Sequence, residues 1–246
     1  MIDLHSHVLP GLDDGAADLE EALAICRAGA ADGITILAAT PHVRFDYPTT
    51  PEMMHSALDD LQRAAGRSLR LVPGGELDLE ELNRPPDVLR QFGLAGNADY
   101  LLVETPYVGW PLYIGERLFL LRISGFTPVL AHPERNTEVQ SNPELLAPLV
   151  NAGALVQITA ASLDGRLGTR SRSSSKTLLE RGFVHLIASD AHGPAIREIG
   201  MSRAANAVGD TDLAAWLTRD MPRAIVDGGP LPPRPERRKL FRRHKR

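Results

Sequence analysis

Nine residues of metal-binding type stand at corresponding places along this 246-residue chain. His5 and His7 occur two apart in "IDLHSH", so in a strand both imidazoles face one side. Asp14 follows in "GLDDG", His42 in "AATPH", Glu76 in "PGGE", Glu104 in "LLVE", His132 in "VLAHPERN", and Asp190 and His192 in "LIASDAH". Any one of them alone reads as a cap or an ordinary hydrogen-bonded polar group. Together they do not, because four carboxylates gathered near one another are strongly unfavourable without cations. Mixed imidazole and carboxylate donors suit Mn, Fe or Zn, and nine of them exceed one ion's needs. Two or three divalent ions are therefore expected, and three would leave the cluster with an excess of about two positive charges. Such a site favours an oxyanion such as phosphate. Arg135, three residues beyond His132, could grip the same anion with its planar fork.

The elements that would position these groups are legible as short apolar runs: 2–5, 34–40, 69–76, 100–104, 127–132, 154–159 and 184–190. Their starts lie roughly 30 residues apart, the length of a strand and a returning helix. The runs are apolar on both faces, as parallel strands buried on both sides require. Between them lie amphipathic stretches, among them "ADLEEALAICRAGAADG", in which Leu19, Leu23 and Cys26 share a face and Gly33 is the stop signal. Seven such βα repeats predict an α/β fold, either a parallel barrel or a doubly wound sheet. In a barrel the candidate ligands would lie on the carboxyl-terminal rim, where active sites are built. "DTDLAAWLTRDMPRAIVDG" reads as a closing helix.

Composition narrows the classes further. The single cysteine, Cys26, cannot form an internal disulfide, no leader-like segment precedes the first strand, and no run approaches a membrane span. A cytoplasmic location is expected. The net charge of −4 conceals an asymmetry: residues 231–246 carry eight Lys or Arg against one Glu, leaving −11 on the preceding residues. An acidic body argues against nucleic-acid binding. The domain expectation is one unit over 1–230, followed by a disordered basic tail over 231–246 that could touch an anionic membrane. His55, His185 and His244 are assigned no site role.

"HSHVLPGLDDG", "ATPH", "GGE", "HPERN" and "SDAH", in that order, resemble the polymerase-and-histidinol-phosphatase (PHP) family. Within it, the similarity is to the bacterial metal-dependent protein tyrosine phosphatases of capsule and exopolysaccharide loci. The resemblance implies a distorted seven-stranded (β/α)7 barrel with a trinuclear site, manganese favoured and Fe, Zn or Co acceptable. By position, His5, His7, Glu76 and Asp190 would hold one ion. Glu76 would bridge to a second held by Glu104 and His132, and Asp14, His42 and His192 would hold the third. Arg135 would bind the phosphate. The implied substrate is a phosphotyrosine protein, a membrane-associated tyrosine autokinase. Thr105 departs from the aromatic or aliphatic residue usual after the fourth-strand glutamate.

A metal-activated water would attack phosphorus, with His42 or Asp14 as candidates for general acid through water. Arg166, Arg170 and Arg172, beside the sixth strand end, could read acidic residues around the phosphotyrosine. Histidinol-phosphate phosphatase is the nearest alternative. A polymerase-associated nuclease and a non-catalytic phosphoprotein binder are further ones. A carboxylated-lysine amidohydrolase fits less well, since the lysines are only Lys176, Lys239 and Lys245.

Overall fold

The computed structural model describes residues 1–193 and 197–236. Each predicted apolar run contains a strand; the run 69–76 breaks in the middle, and a further short strand follows the run 34–40. The strands are β1 (Ile2–Asp3), β2 (Ile36–Ala39), β3 (His42–Arg44), β4 (Tyr47–Pro48), β5 (Arg70–Pro73), β6 (Glu76–Leu77), β7 (Tyr100–Glu104), β8 (Thr127–Ala131), β9 (Leu155–Thr159) and β10 (Leu186–Ala188). Pro41 lies at the gap between β2 and β3, and Gly74–Gly75 at the gap between β5 and β6. A missing N–H and two residues without side chains weaken a ladder at those points.

The breaks divide the strands between two sheets. One has the order β1-β2-β5, and the other, with seven strands, has the order β10-β9-β8-β7-β6-β3-β4. All pairings are parallel except the hairpin β3–β4. Backbone bonds join the sheets where the chain leaves β1: Asp190 N–H donates to His5 O, His7 N–H to Ala191 O and Thr40 N–H to Ser6 O, each at 2.8 Å. The architecture is mixed α/β with the helices between successive strands.

Strands β9 and β10 are buried along their whole length, and β7 and β8 at all but their first residue. The helix Leu19–Ala31 starts at Asp18, whose side chain accepts from Glu21 N–H. Its inward face is Ala22, Ile25, Cys26 and Gly29, whereas Leu19 is exposed. The expected Leu19–Leu23–Cys26 face is thus rotated, and small residues let the helix lie close to the strands. Gly33 does end this element, at φ +83°. The closing helix is interrupted: Thr211–Ala215, a π turn over Trp216–Asp220, then Met221–Asp227. Pro222 offers no N–H to the preceding turn, which accounts for the wider local winding.

Part of the expected tail is fixed to the body. Trp216 Nε1 donates to Pro232 O at 3.0 Å, and Arg234 donates to Val184 O and Leu179 O at 2.7 and 3.0 Å. The disorder and membrane contact expected of the remainder, with His244, concern residues 237–246, which lie outside the described residues. No helix among the described residues is long and apolar enough to cross a membrane.

Candidate metal centre

The nine expected ligands converge. His5 and His7 follow β1, His42 opens β3, Glu76 opens β6, Glu104 ends β7, His132 follows β8, and Asp190 and His192 follow β10. Strand register places His42 directly beside Glu76. His132 and Asp190 adopt left-handed backbone, at φ +39° and +53°. That conformation is costly for residues with a Cβ and recurs where a fold aims a functional side chain. Gly15 closes the loop that carries Asp14, and a Cβ there would stand 2.0 Å from His7 O. Only glycine lets that loop lie against the first strand's end.

At the inner end, two imidazole nitrogens meet two carboxylate oxygens; His5, His7 and Asp190 face one point, and Glu76, expected with them, groups with His5 and His132. His5 Nε2 and His7 Nε2 are 3.1 Å apart. Glu76 Oε2 lies 3.4 and 3.3 Å from them, and Asp190 Oδ1 3.4 Å from both. Ligands at about 2.1 Å from a shared ion stand about 3.0 Å apart on an octahedron and about 3.4 Å apart on a tetrahedron. The observed separations fall in that range. His7 Nδ1 is 2.6 Å from Asp13 Oδ2, which only accepts, so its Nε2 is left with a lone pair. His5 Nδ1 faces Gln157 Oε1 at 2.9 Å in the same way. With both rings neutral, two lone pairs face each other beside two carboxylates, an arrangement that calls for positive charge from a metal ion or from the ring protons that the carboxylates favour against burial. Glu76 Oε2, buried and without a hydrogen-bond donor, points to the same need. The donor set therefore fits a divalent ion.

Glu76 is the hub. Its Oε1 is 2.9 Å from His132 Nε2, and its Oε2 is 3.0 Å from His42 Nδ1. The structure groups His132 with His5 and Glu76, and Glu104 with His42 and Glu76. The expected set of Glu76, Glu104 and His132 is thus split. Arg44 contacts both Glu104 oxygens at 3.3 Å, on the hairpin side. At the outer end Asp14 Oδ1 is 3.4 Å from His42 Nε2 and 3.3 Å from His192 Nε2. These are the three residues expected to act together, joined by His7.

The electrostatics describe a centre that demands positive charge. Burial disfavours the Glu76 carboxylate, yet His5, His132 and His42 hold its pKa well below the ordinary value. Asp190 is held low against burial by His5 and His7. Burial and the nearby Glu76 raise Glu104. Against burial, Asp14 and Glu76 lift His42 to about 9, while burial and then His7 depress His192 to about 4. Protons on imidazoles and metal ions compete to supply that charge.

Several partners were not apparent from sequence. Asp13, adjacent to the Asp14 singled out, orients His7 and also accepts from the N–H groups of His42 and Gly15. Gln157 was signalled only as a polar residue in the middle of the apolar run "ALVQIT". Arg135 Nη1 donates to Asp190 Oδ2 at 2.6 Å, and its guanidinium lies 4.5 Å over the Tyr107 ring. Arg197 joins it, donating to Asp190 Oδ1 at 3.2 Å and standing 3.6 Å from Asp14. Thr105, the noted departure, donates to Ala131 O at 2.7 Å and ties β7 to β8.

The other three arginines sit elsewhere. Arg166 is committed to Asp164 and to the carbonyls of Glu198 and Ile199. Arg170 and Arg172 are exposed on the helix Gly168–Glu180. Arg170 borders a cavity with Thr137, Gln140 and Ser174, and the Arg172 stem lies against Gly165.

Fold and site together define an α/β protein with a multi-histidine, multi-carboxylate centre at the carboxyl ends of its strands. The chain belongs to the capsular polysaccharide synthesis family CpsB/CapC, whose model matches residues 1–225. It is 33% identical to the tyrosine-protein phosphatase YwqE of Bacillus subtilis, over 98% of this chain and 99% of the relative. It is 29% identical to the tyrosine-protein phosphatase CpsB of Streptococcus agalactiae serotype III, over 80% and 85%. Among solved structures it matches one of the work on YwqE of Bacillus subtilis and CpsB of Streptococcus pneumoniae, described as unique metal-dependent tyrosine phosphatases. That match has a TM-score of 0.85 at 31% identity and covers 97% of this chain and 100% of the other.

Proposed function

We propose that the chain is a metal-dependent protein tyrosine phosphatase in which His5, His7, Asp14, His42, Glu76, Glu104, His132, Asp190 and His192 hold two or three divalent ions, Mn²⁺ favoured. The observation that carries this reading is the buried cluster in which Glu76 Oε2 and Asp190 Oδ1 each lie 3.3–3.4 Å from His5 Nε2 and His7 Nε2. When bound, the ions supply Lewis acidity towards phosphoryl oxygens and bring the pKa of coordinated water towards neutrality. Asp13 and Gln157 hold the first two imidazoles in register. Arg135 and Arg197 present guanidinium donors beside Asp190, where phosphoryl oxygens would lie. His42 and Asp14, at the more open edge, are placed to pass a proton to the leaving oxygen through water. A phenol with a pKa near 10 leaves with little help. A cysteine route is disfavoured, since burial pushes the Cys26 thiol up to about 11.

The family and the named relatives support a phosphotyrosine protein as substrate, and we propose a membrane-associated tyrosine autokinase, met in the cytoplasm. Phe45, Val108 and Leu112 stand exposed on the loops that also carry Arg44, Tyr47 and Tyr107, an apolar rim suited to a polypeptide. Arg170 and Arg172 are free to meet acidic flanking residues, a role Arg166 does not share. We also propose that the two sheets close into one distorted seven-stranded (β/α)7 barrel. The bonds from His5, Ser6 and His7 to both neighbouring strand ends support this.

A metal-by-substrate grid tests the function. Phosphotyrosine peptide should be hydrolysed well above histidinol phosphate and a phosphodiester, with activity lost on chelation and restored by Mn²⁺. Equal turnover of phosphotyrosine and phosphoserine peptides, or activity unchanged by chelation, would overturn the reading.

A further inference from the structure

A cavity of about 270 Å³ opens beside the metal centre, lined by Arg44, Leu79, Glu104, Tyr107, Pro111 and Tyr113 among others. Two of these residues belong to the centre's own surroundings. Glu104 groups with His42 and Glu76, and the Tyr107 ring lies 5.6 Å from that of His132. The cavity therefore starts where a phosphoryl group would sit and runs outward between the loops after β6 and β7. We propose that it seats the aromatic ring of the substrate, so that the chain selects aryl over alkyl phosphomonoesters by packing as well as by leaving-group chemistry. This rests on the phosphatase reading and adds the residues that choose the substrate class.

Three features favour a ring over other occupants. The walls are flat or apolar, with Tyr107 and Tyr113 rings, Pro111 and Leu79, and rings prefer offset or edge contact with such surfaces. The charges in the lining are already engaged: Arg44 pairs with Glu104 and Asp46, and Asp78 accepts from Glu80 N–H. With two carboxylates in the lining, a second anion is disfavoured. Finally, the cavity lies just below the range of typical ligand pockets, about 300–1,000 Å³, and is large enough to take one ring in full.

The walls are also preformed. Asn136 Nδ2 donates to Pro106 O and Gly109 O at 2.7 and 2.8 Å, and Thr137 N–H donates to Tyr107 O at 3.0 Å. Tyr113 reaches across the loops, its hydroxyl donating to Glu80 Oε1 at 2.9 Å. A pocket that needs no ordering when it binds loses less affinity to entropy.

Calorimetric binding of phenylphosphonate and methylphosphonate to the Mn²⁺-loaded full chain tests the proposal. The phenyl compound should bind about tenfold more tightly. Leu79→Trp, which fills the cavity, and Tyr113→Ala, which removes a wall, should each bring the two ligands within about twofold by weakening the phenyl compound alone. Tyr113→Phe, which loses the Glu80 bond and keeps the ring, should retain the preference. In parallel, kcat/KM for p-nitrophenyl phosphate should fall in both wall variants while that for an acyclic alkyl phosphate holds. Should Leu79→Trp fail to fold, the half-exposed Tyr113 still carries the test. A phenyl preference that survives both variants, or equal weakening of both ligands, overturns the ring seat while hydrolysis stands. A loaded wild-type chain that binds neither phosphonate and hydrolyses no aryl phosphate overturns the phosphatase reading and the ring seat with it.

Discussion

At the inner end of the ligand cluster, His5, His7, Glu76 and Asp190 are sealed from solvent, and both histidines are braced from behind by Asp13 and Gln157. At the outer end, Asp14 is 41% exposed and meets His42 and His192 with Arg197 close by. The inner end is organised before any ion arrives, because its donors have one orientation each. The outer end rests on a carboxylate in a loop open to water. On the proposed metal reading, the inner end would hold its ion as a resident and the outer end would exchange its ion with solvent and substrate.

Removing the group common to both ends should have the largest effect. Glu76→Gln leaves His5, His7, His42 and His132 without their shared carboxylate. Bound metal should fall to one ion or none, and phosphotyrosine-peptide hydrolysis should fall more than about 100-fold, beyond what losing an outer-shell partner costs. Retention of full metal content would erase the distinction between hub and periphery. Gln157→Leu, which removes the acceptor behind His5 Nδ1, breaks the inner end alone. It should lower metal affinity or activity by about 10–100-fold, read by calorimetric titration, with the outer ligands unaltered. Asp14→Asn should do the reverse, removing one ion from the count while the inner ion stays bound. Equal losses from the two substitutions would mean that the ends are not built differently.

The smallest expected effect lies far from either end. Burial and Arg234 lower the His185 pKa from 6.5 to about 4, so the fold holds this imidazole neutral. Its contribution to stability is full above the ordinary value and is lost as pH falls through the depressed one. His185→Gln should flatten the acid limb of the unfolding free energy between those values, a change of about 3 kcal/mol at most. Metal-dependent stability should keep its own profile.

The contrast also explains what the sequence could and could not disclose. The nine residues that the structure brings together were legible, because each ends or follows an apolar run and a rim of strand ends is a place that sequence order alone can mark. Their partition was less so. Which carboxylate of "LDDG" turns to the ions and which to His7 depends on a turn that Gly15 permits, and the pattern does not encode it. Glu104 meets His42 rather than His132 on the side where Arg44, two residues after His42 on β3, contacts both its oxygens, a cross-strand pairing the pattern does not mark. Arg197 reaches the site from an irregular loop with no periodicity to read. The same limit applies to the fold: the runs were visible, but the division of one at Gly74–Gly75, and the extra strand that follows Pro41 in the second sheet, were not. Arg234 looked like one more tail charge until the carbonyls of Leu179 and Val184 were found within its reach.

The central claim is that one chain holds more than one divalent ion in this cluster. Native mass spectrometry of the full chain reconstituted with Mn²⁺ tests it most directly. The account predicts two or three ions per chain, all removed by chelation. A count that never exceeds one under saturating Mn²⁺ would contradict it.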